Sequence, residues 1–160
     1  MRMSEGVEWA MHCCLTLAWL GNEVPVSTAK LAAGFELPPA YLNKQLQALA
    51  KAGIMTSTPG ARGGFRLARP LEEISVMDVV TAIEGPAEAF QCTEIRRRGA
   101  GAGRPEEQFR VPCAVSTAMR KAEMAWRRVL AAQTLADVQA AANRRAPQAG
   151  EVIRRWYEQN

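Results

Sequence analysis

Residues 46–69, LQALAKAGIMTSTPGARGGFRLAR, decide how this chain folds. The opening residues close a helix that runs from about Pro39 to Ala52 and stops at Gly53. Leu42, Leu46 and Leu49 recur on one face of it, at the spacing a helix needs to bury a stripe. Residues 54–58 (IMTST) favour a strand, 59–64 (PGARGG) a tight glycine-rich turn, and 65–68 (FRLA) a returning strand. Two such runs about a glycine-bearing turn read as a β-hairpin.

Upstream, residues 4–20 (SEGVEWAMHCCLTLAWL) read as a first helix, with Ser4 as N-cap, acids in the first turn and Gly21 past the end. Val7, Met11, Cys14, Leu15 and Ala18 give its core face. Ser27 opens a second helix over 27–33, and Gly34 turns the chain. Pro38 and Pro39 fit only the entry and first turn of the third helix. Helix, sharp turn, helix and hairpin is the winged helix-turn-helix order, which reads duplex DNA. With Leu42, Leu46 and Leu49 inward, Ala40, Lys44, Gln47 and Lys51 point outward, flanked by Tyr41, Asn43 and Gln45. Amides read base edges, whereas lysine and tyrosine position on phosphates. Arg62, between glycines at the hairpin tip, suits a narrow minor groove. Periodicity alone favours an ordinary solvated amphipathic face; the turn, the paired prolines and the PGARGG tip shift the balance to DNA.

Downstream, Ser75 caps a helix over 76–84 that Gly85-Pro86 stops. Residues 86–112 form a loop rich in glycine, with a basic run at 96–98, and loops of that length tend to be functional. Residues 113–143 read as one long helix and 148–160 as a short tail of a turn or two. The expected organisation is a DNA-binding domain over 1–85, a sensor loop over 86–112, and a dimerisation helix with tail over 113–160. The fold class is mainly α with a small β-hairpin wing.

The 160 residues suffice for one compact core, and a hydrophobic fraction of 48% is ordinary for a globular protein. No apolar run approaches the roughly 20 residues needed to span a bilayer, so no membrane partner is expected. Glu5, Glu8 and His12 interrupt the first apolar stretch, which a signal peptide would keep whole. A cytoplasmic location is therefore expected, where four cysteines point to metal binding or redox sensing more than to structural disulfides. A net charge of +4 favours a polyanionic partner. With one histidine, no phosphate-loop motif and no Ser-His-Asp or Cys-His arrangement, catalysis is not expected.

Four metal-binding groups remain. Cys92 and Cys113 flank the loop, while Glu8 and the only histidine, His12, lie one turn apart on the first helix. That spacing puts both side chains on one face, about 6 Å apart along the axis. Cys13 and Cys14 read as buried core thiols. Trp9 beside Glu8 reads as a packing residue or a shield for such a site.

Residues 46–69 resemble the wing signature of the IscR/NsrR family of bacterial regulators (Rrf-two type). ISVMDVVTAIEG resembles that family's next helix, and the cysteine-bearing loop and PCAVSTAMRKAEMAWRRVLAAQTLADV also match. The resemblance covers most of residues 4–140. It implies a homodimeric transcription regulator whose long C-terminal helices cross. Helical spacing makes Trp126, Val129, Leu130 and Val138 the apolar positions expected at the interface. Many members ligate an iron–sulfur cluster through three loop cysteines. Cys92 matches the first of these and Cys113 the last, but TEIRRRGAGAGRPEEQFRVP between them holds no middle cysteine. In some members a carboxylate from the partner's first helix completes the cluster, and Glu8 matches it. The expected set is therefore Cys92 and Cys113 on one iron of a 2Fe–2S cluster and Glu8 and His12 of the partner chain on the other, since imidazole ligands are attested on such clusters. A tetrahedral zinc on the same four groups, or a reversible Cys92–Cys113 disulfide, are the alternatives. Either would make the chain a cluster-free winged-helix regulator or an interaction module.

Overall fold

The computed structural model of the chain describes residues 3–160. Residues 3–86 and 130–160 form one compact unit, and residues 87–129 form another.

In the first unit, helix α1 (Glu5–Trp19) is the central post. It buries Val7, Ala10, Cys13, Cys14, Leu15, Thr16 and Leu17, so its apolar surface is wider than one stripe and meets neighbours on several sides. Ser4 stands at its N-cap position without capping it. Its backbone N–H and hydroxyl instead donate to Glu84 Oε1, at 2.8 and 2.6 Å. Helix α2 (Thr28–Gly34) is capped by Ser27, whose hydroxyl accepts the Lys30 N–H, and α3 (Pro39–Lys51) begins on the paired prolines. Leu42, Leu46 and Leu49 are fully buried with Leu31, Ile54 and Val79. Each such side chain contributes about 1.5–3 kcal/mol of burial.

Strands β1 (Met55–Thr58) and β2 (Gly64–Leu67) form an antiparallel hairpin in the register Met55 to Leu67 and Ser57 to Phe65. Two devices fix it to the helices. Asn22 clasps Leu67 with its side-chain amide, accepting its N–H at 2.6 Å and donating to its carbonyl at 3.1 Å. Val26 and Phe65 exchange backbone hydrogen bonds at 3.0 and 2.8 Å. That second contact requires Gly64, where a Cβ would lie 2.3 Å from the Val26 carbonyl oxygen.

Helix α4 (Val76–Glu84) starts in a capping box formed by Ser75 and Asp78. The expected single helix over 113–143 is two: α5 (Ala114–Ala131) and α6 (Leu135–Arg145). The break is chemical. Thr134 and Asp137 build a second capping box, and residues around Thr134 pair with those around Ser75 through Val76 N–H to Gln133 O and Leu135 N–H to Ile74 O, both 2.8 Å. The tail forms a three-turn helix, α7 (Ala149–Gln159), longer than the turn or two expected. Its Tyr157 is buried against α2.

Candidate nucleic-acid interface and cysteine loop

The hairpin and α3 carry most of the residues expected to read DNA on their solvent side. Tyr41 is 52% exposed, and Asn43, Lys44, Gln47 and Lys51 are exposed along the same helix, with Arg62 exposed at the hairpin tip. Asn43 Oδ1 accepts from the Thr28 hydroxyl at 3.1 Å, which ties α3 to the start of α2. Gln45 departs from expectation. It is 7% exposed, and its amide lies against Gly6 of α1, where only a missing Cβ makes room. It serves helix packing and leaves the reading set.

Glu8 and His12 are both exposed on α1, one turn apart as their spacing requires. Between them Trp9 meets the Tyr41 ring edge-on, with centroids 5.6 Å apart and planes at 77°. The His12 ring lies 5.8 Å from that of Phe35, in the turn between α2 and α3. The neighbourhood of the imidazole and carboxylate thus touches both sides of the turn between α2 and α3, at Phe35 and at Tyr41. Cys13 and Cys14, on the opposite side, are fully buried, and burial pushes the Cys13 thiol up to about 12 and Cys14 up as well. Neither is a thiolate at neutral pH.

In the second unit, the loop between the cysteines is densely tied. Cys92 is an exposed free thiol and Cys113 a half-buried one at the start of α5. The N–H groups of Ser116 and Val115 at that helix end, with Arg96 nearby, draw the Cys113 thiol below its usual range. Two arginines of the basic run, Arg96 and Arg97, are paired. Arg96 binds the Glu94 carboxylate through Nε and Nη2, and its Nη2 also donates to the Val111 carbonyl at 3.1 Å. Arg97 grips both Glu106 oxygens at 2.6 Å and stacks 4.4 Å from the Phe109 ring centre. Where the loop enters the unit, Glu123 of α5 accepts from Trp126 and Arg127, and Arg127 donates to the Ala87 carbonyl at 3.0 Å. Sequence reasoning missed these ties, whose only signal was the excess of acids at 94 and 106 matching the arginines.

Among the described residues, no three histidine, cysteine or carboxylate groups of one chain gather to hold a metal. No helix is long and apolar enough to cross a membrane.

A family model described as an iron-dependent transcriptional regulator, Rrf2, matches residues 3–141. A putative HTH-type transcriptional regulator of Lactococcus lactis, YffB, is 34% identical over 140 residues, covering 86% of each chain. The HTH-type transcriptional regulator NsrR of Geobacillus kaustophilus is 30% identical over 139 residues, 86% of this chain and 89% of that one. Among solved structures, T. potens IscR superposes with a TM-score of 0.62 at 24% identity, covering 91% of both chains. CymR of B. subtilis, described as its global cysteine regulator, superposes with a TM-score of 0.64 at 23% identity over 88% of this chain and 98% of that one. Both likenesses speak for the fold alone.

Proposed function

The chain belongs to the Rrf2 family of transcriptional regulators, and from that premise we propose that it works as a cytoplasmic homodimer that binds operator DNA and senses redox or iron–sulfur status through a 2Fe–2S cluster. DNA binding and transcriptional regulation come with the family, whose named members are regulators and not enzymes. α3 supplies Asn43 and Gln47 to base edges and Tyr41, Lys44 and Lys51 to phosphates, with Arg62 at the minor groove.

The observation that carries the sensor reading is the donor set. One face of α1 presents Glu8 and His12, and the loop presents two free thiols, one of them drawn toward thiolate by the start of α5. Two thiolates, an imidazole and a carboxylate fit a 2Fe–2S cluster with mixed ligands. Cys92 and Cys113 would hold one iron, and Glu8 and His12 of the partner subunit the other. Bound there, the cluster would supply a one-electron redox centre. The chain's own residues do the rest: the thiolates anchor, and the α1 face passes strain to Tyr41 and Phe35 through Trp9 and His12.

The dimer reading rests on α5. Val115, Met119, Ala122, Trp126 and Val129 alternate by four and three residues, the seam of a coiled coil. Val115 and Val129 are 61% and 68% exposed in the single chain. Of the positions expected at the interface, Trp126, Val129 and Leu130 belong to α5 or its end, whereas Val138 belongs to α6.

Anaerobic purification with iron analysis and a visible spectrum tests the sensor. The expected result is absorbance above 400 nm that is lost in both Cys92→Ala and Cys113→Ala, shifted in Glu8→Ala and His12→Ala, and untouched in Cys13→Ala and Cys14→Ala. Colourless protein with bound zinc, or iron that survives both loop substitutions, sinks it.

A further inference from the structure

We propose that Arg96 is the positioning residue that holds Cys92 and Cys113 side by side and faces both sulfurs with a fixed positive charge, in a loop that has no third cysteine. The inference rests on the two cysteines acting together, as in the function proposed above. It adds the residue that makes them a pair.

The geometry is a bracket. Arg96 binds Glu94, two residues after Cys92, and the carbonyl of Val111, two residues before Cys113. One planar guanidinium therefore ties the chain leaving the first cysteine to the chain entering the second. A lysine ammonium, a single point on a flexible stem, cannot reproduce that fork. The bracket is itself fixed. The guanidinium lies 5.6 Å from the Phe109 ring centre. Its backbone is pinned too, because Gly101 approaches so closely that a Cβ there would overlap the Arg96 carbonyl. The guanidinium is kept in its charged form first by the Glu94 carboxylate that it binds through two nitrogens.

The chemistry explains the need. Two sulfurs that share one iron bind it as thiolates, and two thiolates at that spacing repel each other. Neutral loop residues would let them part, whereas a guanidinium facing both offsets the repulsion and keeps the spacing. Arg97, the next residue, turns instead to Glu106, and so serves as the matched control.

The test uses the full iron-free chain and phenylarsine oxide, which condenses with two adjacent thiols to form two arsenic–sulfur bonds and releases one water. Wild type is expected to bind one equivalent, and Cys92→Ser to lose it. Arg96→Gln should weaken binding fivefold or more, with an unchanged melting temperature. Arg96→Lys, which keeps the charge but not the fork, should recover part of that loss, and Arg97→Gln should stay within twofold of wild type. An Arg96→Gln effect below fivefold, no recovery in Arg96→Lys, or an Arg97→Gln loss as large as that of Arg96→Gln overturns the proposal. So does wild-type protein that binds no arsenical. Wild type that binds the arsenical but never takes up iron would leave Arg96 in its role and remove the cluster reading instead.

Discussion

Gly34 leaves the space that Tyr157 fills. A Cβ on Gly34 would stand 2.7 Å from the Tyr157 hydroxyl, which finds no hydrogen-bond partner among the described residues. Burial pushes that phenol up to about 12, so it stays protonated. Alanine within a helix ordinarily gains about 1 kcal/mol over glycine. Here Gly34→Ala is expected to lose about 1–3 kcal/mol through overpacking. Tyr157→Phe, which removes an unsatisfied hydroxyl, should melt at or above the wild-type temperature and relieve part of the Gly34→Ala defect. Thermal unfolding of the two single variants and the double variant decides this, and additive effects would refute the contact. At the reading surface, Lys44→Ala should weaken DNA binding on every sequence and flatten the salt slope by about one unit. Arg62→Ala should weaken it most on sites with a narrow minor groove. Titrations at several salt concentrations that match wild type for both would remove this surface from the DNA.

Helix α5 is the element with the most left to cover. Glutamate at Met119 and Val129, both exposed in the single chain, should place charges in the proposed seam and give a monomer by light scattering with helix content intact. A dimer that survives both substitutions lies elsewhere. Glu123 offers a second reading at this scale. Its carboxyl is held below its ordinary value of 4.5 first by the Arg127 hydrogen bond, then by Trp126. A depressed folded value means the tie is fully present above the ordinary value and is lost as pH falls through the folded one. Trp126 fluorescence should therefore change below about pH 4.5 and lose that transition in Glu123→Gln. The elements themselves were unevenly legible in the sequence. The leucine stripe of α3, the Ser27 and Ser75 caps and the hairpin follow from local spacing and turn chemistry, and they stand as read. The break between α5 and α6 carried its own signal, Thr134 with Asp137 three residues on, masked by an alanine-rich run that favours helix throughout. Helix α7 and the inward turn of Gln45 depend on the missing Cβ of Gly34, Gly150 and Gly6, contacts far apart in sequence that no local pattern carries. The same holds for the arginine ties of the loop, which join residues up to 40 apart in the chain.

At the scale of the whole molecule, the proposed sensor would have to reach the DNA, and α1 is the element through which it would. Its exposed face holds Glu8 and His12, and the same face touches Tyr41 through Trp9 and Phe35 through His12. Groups that engage Glu8 and His12 would therefore bear on the turn and the start of α3, the proposed reading helix, whose positions in a dimer must match half-sites about one helical turn of DNA apart. A small shift at each reading helix costs phosphate contacts on both half-sites, and each contact counts twice in a symmetric dimer. Iron-loaded and iron-stripped protein are accordingly expected to bind one operator with affinities at least tenfold apart, about 1.4 kcal/mol of coupling. Trp9→Ala should narrow that ratio while leaving iron content unchanged, because it removes the ring contact and none of the four ligands. Gel-shift titrations of both forms, for wild type and Trp9→Ala, measure it. Equal affinities in wild type would make the site structural, and a ratio unchanged in Trp9→Ala would route the coupling through Phe35 or through the dimer helix instead.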